Sequence, residues 1–156
     1  MANTQKIMAA VDLSDFSGMT VRYSLWLAEK LDAELVLVNV VNQRDLDMVR
    51  RAMVGYEAFS FPDYLADQVK DRETRMKALV EGADIPSVKC SYQVRHGIPY
   101  RELLAAIDDE KPGLLVVSTK GRSNMADTVV GSTARKMYRR SPIPLVSLPA
   151  GYAEVS

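Results

Sequence analysis

At 156 residues the chain is of single-domain size and can bury roughly two thirds of the surface that its unfolded form exposes, so residues 1–156 are read as one domain. An apolar fraction of 47% and a charged fraction of 26% exclude a disordered or fibrous chain. Lys and Arg together number 20, as do Asp and Glu, so the broad positive field that non-specific nucleic-acid binding needs is missing, and nucleic acid is not an expected partner.

Strand and helix signals alternate from the start. Ile7 to Val11 is a short apolar run, followed by Asp12 and Ser14 and then by Val21, Leu25, Ala28 and Leu31 at helical spacing. Leu35 to Val41 is almost continuously β-branched or leucine, the pattern of a central parallel strand covered on both faces. From Asn42 to Pro62 the periodicity weakens, and the segment reads as an irregular connection with room for a short helix. Its large apolar residues from Met53 to Phe61 have two open roles, a cover for a ligand crevice or a contact with a partner chain. Leu65, Val69, Met76 and Leu79 then keep helical spacing up to Gly82, read as a helix-ending glycine.

Val88, Cys90, Tyr92 and Val94 alternate with polar residues and predict a strand at a sheet edge. Pro99 suits the first turn of a helix whose buried face holds Leu103, Leu104 and Ile107. Leu114 to Val117 is a second buried-strand run. Ile143 to Leu148 is the last, flanked by Pro142 and Pro149 and interrupted by Pro144, which places it at the other edge. Between these two lies Lys120 to Arg140, a loop leading into a helix. Five strands separated by helices imply a parallel sheet with helices on both faces, in which ligands bind beyond the carboxyl ends of the strands.

The opening MANTQKIMAAVDLSD has too short an apolar run for a signal peptide, and no later segment offers about 18 uninterrupted apolar residues, so a cytoplasmic protein without membrane insertion is expected. Cys90 is the only cysteine and His96 the only histidine, which excludes an intrachain disulfide and strips His- or Cys-based metal sites and Ser-His-Asp hydrolysis of their raw material. Neither a catalytic set nor a metal-ligating set is identified. His96 reads as a turn residue and Cys90 as a small buried apolar residue.

One segment stands out chemically. After the fourth strand run comes Ser118-Thr119-Lys120-Gly121-Arg122-Ser123, and nine residues after Gly121 comes Gly131-Ser132-Thr133. Glycines let a backbone approach a ligand, and a helix start collects unpaired N–H groups with a partial positive charge that suit a phosphate. The same residues also serve a simpler end, in which Gly121 ends a strand and Ser132 caps a helix. Asp12 has the same two readings, ligand contact or helix cap. Arg135, Lys136, Arg139 and Arg140 read chiefly as cations placed near a helix C-terminus.

The spacing Gly121, nine residues, Gly131-Ser132 resembles the nucleotide-binding loop of universal stress proteins, whose fuller pattern is glycine, two residues, glycine, nine residues, glycine, then serine or threonine. The segments KIMAAVDLSDFS, VRHGIPYRELL and SPIPLVSLP are similar to that family's first strand and Asp-x-Ser turn, its third strand and helix, and its final strand. The likeness runs from about Lys6 to Pro149.

It implies an α/β three-layer sandwich with a five-stranded parallel sheet in order 3-2-1-4-5, Rossmann-like and of the adenine nucleotide alpha hydrolase-like kind. It also implies a homodimer, which the edge run Ile143 to Leu148 would form, and ATP or AMP as ligand, with Mg²⁺ accompanying the phosphates. Carried over, Asp12 faces the adenosine part, Ala10, Val40 and Val117 lie near the base, and Gly121, Arg122, Gly131, Ser132 and Thr133 surround the ribose and phosphates. Ser118 stands where the first motif glycine is expected. If that position needs positive φ or a bare backbone, the departure favours the alternative of a nucleotide-free dimeric stress protein acting through protein contacts.

Overall fold

The computed structural model describes residues 5–120 and 130–152. In chain order they form β1 (Lys6–Ala10), α1 (Ser17–Leu31), β2 (Glu34–Asn42), α2 (Gln43–Ala52), α3 (Phe61–Ala83), β3 (Cys90–Gly97), α4 (Pro99–Glu110), β4 (Leu114–Ser118), α5 (Ser132–Arg140) and β5 (Leu145–Leu148). The strands make one sheet in order β3-β2-β1-β4-β5, and every neighbouring pair is parallel. The order 3-2-1-4-5 is the expected one, with both predicted edge strands at the edges.

Strand alternation divides the core into two. Ile7, Ala9, Leu35, Leu37 and Val116 face α1 and α3, where Leu25, Ala28 and Met76 cover them. Met8, Val36, Val38, Leu115 and Val117 point the other way, onto Leu103, Ala106 and Ile107 of α4 and Met137 of α5. Fully burying side chains of this size contributes roughly 1.5–3 kcal/mol each, which is why β1, β2 and β4 read as largely apolar runs in the sequence, broken inside β2 only by Asn39. Among the described residues no helix is long and apolar enough to cross a membrane.

Two local readings, of Gly82 and His96, need correction, and two others become specific. The connection after β2 begins with a regular helix, the ten-residue α2, capped by Asn42, whose side chain accepts from the Arg44 N–H at 3.0 Å. Leu46 is its only buried residue, with half-buried Val49 one turn on, so its apolar face is narrow. Gly82 does not end α3. It is exposed within the last turn, and Asp84 takes the left-handed cap at φ 54°, as Asp32 and Lys111 do for α1 and α4. His96 lies in β3 and not in a turn, and Leu31 is 46% exposed at the end of α1.

Candidate functional site

The winding direction reverses between β1 and β4, and beyond the ends of β1, β2 and β4 lies a cleft of about 390 Å³. Ala10, Val38, Val40, Leu103 and Val117 supply its apolar floor, on the α4 and α5 side of the sheet. Asp12 enters from the β1–α1 turn, and Asn42, Arg44 and Asp45 from the start of α2. Ser118, Thr119 and Lys120 follow β4, and Gly131, Ser132, Thr133 and Ala134 open α5. Every sequence-derived candidate within the described residues therefore lines one cleft: Ala10, Asp12, Val40, Val117, Ser118, Gly131, Ser132 and Thr133. Gly121 and Arg122 lie outside the described residues.

The start of α5 distinguishes amides already used from those left over. Gly131 is the N-cap at φ −67° and ψ 158°, an extended conformation open to any residue. Its N–H donates to the Thr119 carbonyl at 2.6 Å, so this amide is spent inside the protein. The first helical bond runs from the Arg135 N–H to the Gly131 carbonyl at 3.0 Å, and no side chain caps the helix. The N–H groups of Ser132, Thr133 and Ala134 thus have no acceptor among the described residues. Helix-start amides project along the axis and carry the positive end of the dipole, toward the cleft these residues line. The capping role predicted for Ser132 falls to Gly131.

Asp12 is held from within its own turn. Its Oδ1 accepts from the Ser14 N–H and from the Ser17 hydroxyl, both at 3.0 Å. The N-cap of α1 is Phe16, without a side-chain bond, so Asp12 braces the first turn through Ser17 rather than by capping it. No protein partner takes Oδ2 among the described residues, which leaves one carboxylate oxygen for a hydroxyl or another donor. The following residue, Leu13, sits in the left-handed region at φ 61°.

Ser118 ends β4 in extended conformation and is absent from the residues with positive φ, so the backbone here makes no demand for glycine. Its hydroxyl donates to the Lys120 carbonyl at 2.6 Å. Sequence reasoning missed Asn42, Arg44, Asp45, Pro99 and Lys120 as lining residues. Asn42, Arg44 and Asp45 were not placed because the start of the short helix allowed for in that connection was not fixed, and Lys120 was in view within the quoted loop. None of residues 53–61 lines the cleft, so a covering role for that stretch has no support, and Val54 and Tyr56 are exposed.

The cations of α5 find an aromatic platform beside the cleft. Lys136 Nζ lies 4.4 Å and Arg140 Cζ 5.1 Å from the Tyr100 ring centre, while Arg101 Nε donates to the Tyr100 hydroxyl at 3.0 Å. The Arg101 hydrogen bond, with the positive charges of Arg101, Arg140 and Lys136, holds the Tyr100 phenol below its ordinary pKa against a smaller opposing desolvation. Cys90 is half-buried and packed on the core, and burial pushes its thiol up.

Residues 3–149 match the family model described as the universal stress protein family. Among curated relatives, universal stress protein MJ0531 of Methanocaldococcus jannaschii is 22% identical, over 91% of this chain and 80% of its own length. YxiE of Bacillus subtilis is 24% identical, over 90% of this chain and 96% of its own. Among solved structures, a universal stress protein in complex with cAMP superposes with a TM-score of 0.63 at 20% identity, covering 94% of this chain and 97% of that one. The universal stress protein from Archaeoglobus fulgidus in complex with dAMP gives 0.59 at 12% identity, covering 94% and 98%. With the sheet order and the ordered motifs already in place, the match over nearly the whole length settles the lineage: the chain belongs to the universal stress protein family.

Proposed function

We propose that the chain is a regulatory module that binds an adenine nucleotide, ATP or AMP, in this cleft. One observation carries the reading: three helix-start amides and an Asp12 oxygen that no described residue claims, together with an apolar floor, open onto the same 390 Å³ space. That set matches a ligand with a flat apolar base, a hydroxylated sugar and an anionic tail. The α5 dipole alone favours the tail by about 0.3–1 kcal/mol, before direct hydrogen bonds, and Lys120 adds a positive charge on the same side. The carboxylate of Asp12 repels phosphate and accepts from a sugar hydroxyl, which orients the ligand. The relatives solved with cAMP and dAMP support the same ligand class. Mg²⁺ accompanying a triphosphate would be held by phosphate oxygens, water and the exposed, uncapped Ser132 hydroxyl.

We read the role as regulatory because phosphoryl transfer to a second substrate needs a positioned base, and the described lining residues present no nucleophile paired with one. The test is equilibrium dialysis with labelled ATP. Saturable binding is expected, and Gly131→Arg is expected to abolish it while the protein stays folded, because Gly131 has a conformation arginine adopts freely. Absence of saturable binding to the unmodified chain overturns the reading. It would favour the second reading, a nucleotide-free stress protein acting through protein contacts, whose supporting observation is the serine at the first motif glycine, with its hydroxyl turned to the Lys120 carbonyl. Both readings include a homodimer through Ile143 to Leu148, since β5 is bonded to β4 on one side and presents its other edge.

A further inference from the structure

Asn39 interrupts the most apolar strand of the protein. It is 1% exposed, and strand alternation puts it on the α1 and α3 face with Leu35 and Leu37. Its Nδ2 donates to the Val11 carbonyl at 2.7 Å, and its Oδ1 accepts from Arg72 Nη1 of α3 at 3.0 Å. Arg72 is itself 8% exposed. From the next turn of α3, Arg75 Nη2 donates to the Leu13 carbonyl at 3.4 Å. One helix therefore holds the carbonyls on both sides of Asp12, the first through Asn39 and the second directly.

A buried amide and a buried guanidinium are poor ways to stabilise a core. A leucine or valine at position 39 would pack there without desolvation cost, and exchanging buried polar or ionic groups for apolar ones is often neutral or stabilising. What the polar pair does that an apolar pair cannot is fix a particular carbonyl in a particular direction. The turn needs such fixing. Leu13, at φ 61°, occupies a region that persists for a bulky side chain only where its surroundings impose it.

Resting on the nucleotide reading above, we propose that Arg72 and Asn39 are positioning residues for the ligand: a buried strut that runs from α3 through β2 to the turn presenting Asp12, and so sets how tightly the cleft holds the sugar of its nucleotide. The strut lies on the sheet face opposite the cleft floor, so the helix that does not touch the ligand governs one of the groups that does.

Asn39→Asp isolates the claim. It is isosteric, strengthens the contact with Arg72 as an ion pair, and replaces the donor facing the Val11 carbonyl by an acceptor. By titration calorimetry on the full chain, its affinities for ATP and for adenosine are expected to fall by the same factor, roughly tenfold, because the sugar is common to both. In an Asp12→Asn background the same change is expected to cost no further affinity. Wild-type affinity in Asn39→Asp, or a loss fully additive with that of Asp12→Asn, overturns the strut. Hydrogen exchange supplies a readout that needs no ligand: the Ser14 amide, bonded to Asp12, is expected to exchange roughly tenfold faster in Asn39→Asp while α4 amides are unchanged. Unchanged exchange at Ser14, or uniform acceleration throughout, overturns it too. If the unmodified chain binds neither ATP nor adenosine, the proposed function fails and the exchange data still decide the strut. Should Asn39→Asp not fold, Arg72→Lys keeps the charge and is expected to show the same pattern at roughly threefold size, with full wild-type affinity and exchange overturning it.

Discussion

Gly97 fixes how β3 passes into α4, and no other residue type suits its place. Its φ is +142°, and a Cβ there would stand 3.0 Å from Glu102 Cγ, in a side chain already held by Arg95 Nε at 3.1 Å. Gly97→Ala is expected to lower stability by about 1–3 kcal/mol, seen as a lower denaturant midpoint at unchanged slope. A slope change instead would place the effect in the unfolded chain. Tyr100 offers a second measurement at this scale. The Arg101 hydrogen bond and the neighbouring cations favour its phenolate, so ultraviolet titration is expected to show one tyrosine ionising at lower pH than the rest. Arg101→Ala removes the largest of those causes and is expected to move that step back toward higher pH. If the early step persists unchanged in Arg101→Ala, the assignment is wrong.

At the scale of elements, the first turn of α5 separates amide from hydroxyl. Proline is tolerated at the first helical position, and Gly131 before it already has the extended conformation that a following proline requires. Ser132→Pro is therefore expected to leave thermal stability nearly unchanged while weakening ATP binding by removing one N–H, whereas Ser132→Ala keeps that N–H and is expected to bind more tightly than the proline variant. Equal affinity in the two would show that the amide is not used.

The elements also show what a sequence discloses and what it withholds. β1, β2 and β4 were legible because strands buried on both faces are almost wholly apolar, and β3 and β5 because alternation and flanking prolines mark edges. The helix over Gln43–Ala52 was only allowed for, as a short helix within an irregular connection, since it buries Leu46 alone and its apolar face is narrow. The end of α3 was misplaced because glycine is the usual left-handed cap, whereas this protein uses Asp32, Asp84 and Lys111, which leave no such mark. Gly131 and Asp12 could be brought to one cleft by reversal of the sheet order. The Arg72 contact with Asn39 could not, because a polar residue inside an apolar run announces that it needs a partner but says nothing of one 33 positions away.

For the molecule as a whole, the exposed edge of β5 is the feature with consequences beyond one chain. An unpaired edge is a template for another strand, and a two-fold pairing of Leu145–Leu148 with its copy would close it. Sedimentation equilibrium at micromolar concentration is expected to give twice the chain mass, and a single-chain mass would count against the dimer. Net charge offers no obstacle, since the formal total is zero and two copies do not repel through their overall fields.

The bond from the Gly131 N–H to the Thr119 carbonyl ties together the two ends of the stretch between them, and Thr119 is itself anchored by its N–H to the Leu148 carbonyl at 2.9 Å. Lengthening a stretch whose ends are pinned in this way is thermodynamically mild, about 0.6 kcal/mol per doubling. Both pinned ends therefore belong to the finished frame, Gly131 through Thr119 and Thr119 through β5. Insertions or deletions between those two pinned positions are therefore expected to leave the folding of the frame intact.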